Sequence, residues 1–171
     1  NNTTEAMLHS FRTIEGLIDL WIRHHFKQFL TIRNNEFSEL NRGVLVNYPS
    51  LKSYFDRHSR EAGGSIQIRG EVQAALIQTV IPSARQDTGF QAWNSQEARN
   101  IRNTLSHNLG GISEQELFKA WGTGIRNKQT WEERLLKCIN LITGESFVHF
   151  RNASFFPAIQ HLLQQEVKNL T

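Results

Sequence analysis

The fold class turns on residues 5–32, EAMLHSFRTIEGLIDLWIRHHFKQFLTI. Met7, Phe11, Ile14, Leu17, Ile18, Trp21 and Phe29 recur at the spacing of one side of a helix. Thr3 or Thr4 stands ready as its cap. A helix of that length with so broad an apolar face must be covered by other helices, so the chain reads as a bundle.

Working outward, the rest of the chain agrees. The polar break RNNEFSEL leads into a segment bent at Pro49, after which SLKSYFDRHSRE resumes helical composition. EVQAALIQTVI reads as a helix closed by Pro82, and IPSARQDTGF as a loop. SEQELFKAWG opens on a capping box, Ser113 with Glu116, and TWEERLLKCINLITG repeats that pattern with Thr130 and Glu133 before stopping at Gly144. GTGIRNK turns the chain between them. ESFVHF is irregular, and FPAIQHLLQQEVKNL forms a last helix with Pro157 in its first turn. The expectation is an all-α bundle of six or seven helices, residues 1–171 making one domain.

Composition narrows the function classes. Hydrophobic residues at 39% and charged residues at 20% exclude a disordered chain. A formal charge of +3 is compatible with a phosphate-bearing partner and does not require one. Cys138 is the sole cysteine, which excludes an internal disulfide and a cysteine zinc site; its place in WEERLLKCINLI reads as a buried small hydrophobe. No apolar run approaches the roughly 20 residues of a membrane helix, and a soluble, reducing, cytoplasmic setting is expected. The opening NNTTEAM lacks an initiator methionine, as an excised domain or trimmed product would.

The chemistry-bearing stretch is NSQEARNIRNTLSHNLGG, residues 94–111. Asn94 and Glu97 suggest the start of a helix and Gly110 its stop, giving a helix over residues 95–108. At about 100° per residue, Ala98, Ile101, Leu105 and Leu109 share one apolar sector. Arg99, Asn103 and His107 form a stripe nearly opposite it, and Arg102 stands at the sector's edge with an arm long enough to swing either way. On the residues alone, the stripe is a solvated face or a surface to which something is brought. The Arg-Asn pair recurs at Arg33, Arg99, Arg126 and Arg151, but only Arg102-Asn103 is followed by a histidine at this spacing.

R-N-x-x-x-H late in a helix of an all-α domain resembles the signature of the HEPN ribonucleases. FRTIEGLIDLWI is similar to the first long helix of the HEPN domain in the CARF–HEPN proteins of type III CRISPR systems. CINLITGESF and NASFFPAIQHLL resemble the closing segment of the same proteins. The similar stretches cover less than half of the chain. No CARF sensor lies within these residues, a departure from that architecture which leaves open both a ligand-sensing domain upstream and activation by a cyclic oligoadenylate.

The resemblance implies a homodimer whose two motif helices form one composite site that cuts single-stranded RNA without metal or other cofactor. The RNA 2′-hydroxyl would attack its neighbouring phosphate and leave a 2′,3′-cyclic phosphate. His107 would move the proton, because imidazole titrates near neutrality; its place in the last helical turn favours the protonated form and suits a general acid. Arg102 would grip the phosphate and stabilise charge on its oxygens. Asn103 would orient His107 or bond the phosphate, Arg99 would bind phosphate in second rank, and Arg126 and Lys128 would contact RNA. Antiviral defence is the expected setting. The alternatives are a toxin paired with a nucleotidyltransferase antitoxin, and a helical dimerisation or nucleotide-binding module without catalysis. His24 and His25, side by side on the long helix, diverge too far to share a metal ion. His149 and His161 read as packing histidines among phenylalanines.

Overall fold

The computed structural model describes residues 2–33, 37–59, 64–107, 113–122 and 128–148. The fold is all-α, with seven α-helices and one small antiparallel sheet among the described residues. The final helix expected over 156–170 lies outside the described residues, as do His149 and His161. The chain groups into two compact units, residues 1–18 with 84–171 and residues 19–83.

The long first helix, α1, runs Asn2–Phe26 and passes from one unit into the other. It starts ahead of Thr3 and Thr4, so neither is its cap. It also stops short of the expected end: Phe26 leaves helical geometry at φ −113°, ψ 13°, and a 3-10 turn follows over Lys27–Phe29. Leu30–Arg33 then runs extended as β1. Leucine, threonine and isoleucine in succession suit a pleated strand once partners exist. Those partners are β2, Phe37–Leu40, and β3, Ile66–Gln67, in the order β1-β2-β3. Leu30 pairs with Leu40, and Leu40 with Ile66.

In the second unit, Pro49–Leu51 forms a 3-10 turn that feeds α2, Lys52–His58, and α3 spans Glu71–Val80. Trp21, Ile22, Phe26, Leu40, Val44, Phe55, Leu76 and Ile77 are among its buried side chains.

The first unit holds the start of α1 together with α4 to α7. A helix replaces part of the expected loop at 81–90: α4, Thr88–Trp93, is capped by Asp87, whose carboxylate accepts from the Phe90 amide at 2.7 Å. Next come α5, Gln96–His107, α6, Glu114–Ala120, and α7, Lys128–Thr143. The capping box of Ser113 and Glu116 forms as expected. Thr130 lies inside α7 rather than at its start. Gly144 ends that helix at φ +73°, its amide donating to the Asn140 carbonyl at 2.9 Å. Helices α4 and α7 approach so closely that a methyl group on Gly89 would stand 2.0 Å from the Arg134 carbonyl oxygen and 2.7 Å from the Cys138 nitrogen. Phe11 stacks on Trp121 at 4.8 Å, and Cys138 is fully buried, as its sequence setting suggested.

Candidate active site

The motif occupies α5, and its helix begins one residue later than the sequence suggested. Asn94 has helical backbone geometry and its amide bonds to the Phe90 carbonyl at 2.9 Å, so it closes α4. Ser95 is therefore the cap, its hydroxyl accepting from the Ala98 amide at 3.1 Å. The same hydroxyl donates to the Ala120 carbonyl at 3.3 Å, tying the start of α5 to the end of α6. With Ser95 in that place, Glu97 is one position too early to close a capping box.

Ala98 and Ile101 are buried, as the apolar sector requires; Leu109 lies outside the described residues. Asn103 is exposed, with Asn100 and Thr104 beside it. Asn103 thus stands where the stripe was expected. His107 is the last residue of α5, and its backbone carries it one turn beyond Asn103; its side chain lies outside the described set. Arg126 falls outside the described residues, and Lys128 begins α7 with its side chain likewise outside them.

The two arginines behave differently. Arg99 folds back on the helix entrance: its Nε donates to the Asn94 carbonyl at 3.1 Å and its Nη2 to the Asn94 Oδ1 at 2.9 Å. Arg102 swings inward. Its guanidinium lies over the Trp93 ring, 4.3 Å from the centroid, and Nη1 donates to the Trp93 carbonyl. Nε stands 2.9 Å from Oε1 of Glu15 on α1. Only 10% of the Arg102 side chain is exposed, against 43% for Glu15.

The electrostatics follow from that burial. Desolvation pulls Arg102 below the ordinary arginine value, Glu15 opposes the shift, and the neighbouring Arg99 adds to it. Arginine nonetheless stays charged in proteins. Burial pushes the Glu15 carboxyl up, outweighing the downward pull of Arg102 and of Arg12. A cation is therefore fixed from three directions by an aromatic face, a backbone carbonyl and a carboxylate, on the residue directly before an exposed amide. Such a group can hold an anionic oxygen in a set orientation.

Sequence reasoning missed Glu15 and Trp93. Glu15 had a signal, being an acid wedged between Ile14 and Leu17 on the apolar side of α1. Trp93 ends α4, three residues before the motif helix begins, and nothing local says that its ring will face an arginine nine residues on. At the other end of α1, the His24 and His25 rings meet edge to face at 5.2 Å, and His25 stacks on Trp21 at 4.0 Å. Among the described residues, no group of three or more His, Cys, Asp or Glu converges as a metal site. No helix among them is long and apolar enough to cross a membrane. No protein-family model, curated protein or solved structure matches this chain.

Proposed function

We propose that this chain is a metal-independent endoribonuclease of the HEPN type, acting on single-stranded RNA in the cytoplasm as part of an antiviral defence of the type III CRISPR kind. The supporting observation is the division of labour on α5. Arg102 is held in one orientation by Trp93 and Glu15, while Asn103, the next residue, is exposed on the side away from Ala98 and Ile101. Catalysis by positioning requires a fixed cation and an open polar face on one rigid element. As the RNA 2′-hydroxyl attacks the scissile phosphate and gives its proton to water, Arg102 would orient that phosphate, His107 would protonate the leaving 5′-oxygen, and Asn103 would orient the imidazole. One motif helix alone forms no closed pocket, so two chains related by a two-fold axis would close the site.

A fluorogenic single-stranded RNA assay in EDTA tests this. His107→Ala should lower the cleavage rate by about 100-fold or more, the scale of lost general acid catalysis. Asn103→Ala should lower it with little effect on folding, because the side chain is exposed. Cleavage that requires a divalent metal, or that survives both substitutions, would rule the proposal out. The protein should run as a dimer at micromolar concentration.

A second reading has one observation in its favour. Arg102 is largely buried and already engaged, as befits a residue that binds helices together in a non-catalytic dimerisation or nucleotide-binding module. On that reading, the chain binds without cutting, and Asn103→Ala and His107→Ala are silent.

A further inference from the structure

Arg12 and Glu15 stand three residues apart on α1, hence on the same side of that helix. Glu15 reaches across to Arg102, and Arg12 is exposed beside it, near enough for its charge to act on the Glu15 carboxyl. Arg99 lies near enough to Arg102 for the two cations to repel. Two arginines, Arg12 and Arg102, thus act on one carboxylate, and Arg99 stands near the second of them.

We propose that the Glu15 carboxylate occupies, on Arg102, the place of an RNA phosphodiester, and that an incoming phosphate displaces it, with Arg12 completing the phosphate site from α1. This inference rests on the reading of Arg102 as a phosphate ligand. A guanidinium N–H meets a carboxylate oxygen and a phosphate oxygen with the same geometry, so either anion fits the Nε edge. Two further restraints on Arg102, the Trp93 ring and the Trp93 carbonyl, belong to α4 and remain when Glu15 leaves. Displacement therefore uncovers one edge of the cation without releasing it.

Burial pushes the Glu15 carboxyl up against the downward pull of Arg102 and Arg12. With its side chain 43% exposed, Glu15 has a short path to water. Arg12, already at the surface, would then face the same phosphate.

The test uses the full 171-residue chain. The probe is a fluorescent single-stranded 2′-O-methyl RNA, which lacks the attacking hydroxyl, followed by anisotropy at low salt. Glu15→Gln should bind about fivefold more tightly, the scale of one removed charge in a half-solvated site. Adding Arg102→Gln should abolish that gain. Arg12→Gln alone should weaken binding about threefold, as for one lost phosphate contact. Unchanged or weaker binding by Glu15→Gln overturns the proposal, and so does a gain that persists without Arg102. If Glu15→Gln does not fold, Glu15→Asp draws the charge back by one methylene; it should give a smaller gain, and no gain overturns the proposal equally. The two readings fail separately. Cleavage abolished by His107→Ala, without tightening in Glu15→Gln, sinks the displacement and keeps the nuclease. Tightening without any cleavage does the reverse, and no RNA binding by any variant sinks both.

Discussion

Two parts of the molecule are assembled from the same three components, an arginine, a glutamate and an aromatic ring, and they differ in almost everything else. In the first unit, Arg102 lies 4.3 Å over Trp93 and 2.9 Å from Glu15, with 10% of its side chain exposed. In the second, Arg57 lies 4.9 Å over Tyr54 and 3.7 Å from Glu71, with 56% of its side chain exposed. His58 shares Glu71 through its other oxygen. The exposed set is screened by water and salt, and its members can part at little cost. In the buried set it is the cation that is poorly solvated, so Arg102 needs an anion on the edge that Glu15 now covers. Composition is thus a poor guide to an ion pair's weight; depth determines it.

The largest expected effect attacks the platform beneath the buried set. Gly89→Ala would drive a methyl group into the backbone of α7 and push away α4, which carries Trp93. It should cost about 3 kcal/mol or more in urea unfolding. Cys138 offers a second readout: fully buried, with its thiol pushed well above the ordinary value by burial, it should resist thiol reagents in the native chain and react quickly in the variant.

Next in size, Arg102→Ala strands the Glu15 carboxylate and removes the stacked cation. A cost of about 2 kcal/mol is expected, less than for a fully buried pair because Glu15 is partly solvated. Arg102→Lys keeps the charge but loses the planar fork over the indole, and should cost about 1 kcal/mol. Smallest of all, Arg57→Ala in the exposed set should change stability by about 0.5 kcal/mol or less, and 1 M salt should erase the difference. If Arg57→Ala proved as costly as Arg102→Ala in thermal or urea unfolding, burial would not be what separates the two sets.

Much of the first unit is legible in the sequence because its signals are local. The Ser113 and Glu116 box and the Gly144 stop are written within a few residues, and both form. The buried Ala98 and Ile101 follow from helical periodicity alone. The misreadings have long-range causes. Gly89 makes its segment look like a loop, yet glycine is there because α7, some 45 residues on, leaves no space for a side chain. The strand at Leu30–Arg33 continues an apparently helical pattern until β2 supplies its pairing partner. Asn94 looks like a cap for α5 because the short α4 that claims it was not foreseen. Arg102 is the clearest instance at the site. Its position at the edge of the apolar sector is readable, but the direction of its arm is set by Glu15 on another helix and by the Trp93 ring. Asn103, whose place depends only on the helical period, is exposed as expected.

The guanidinium resting on Trp93 has an optical consequence. A cation against the face of an indole alters its excited state, so the emission of this one tryptophan is tied to where the arginine sits. Replacing Trp21, Trp121 and Trp131 with phenylalanine would leave a chain whose intrinsic fluorescence reports, without any attached dye, each displacement of that side chain.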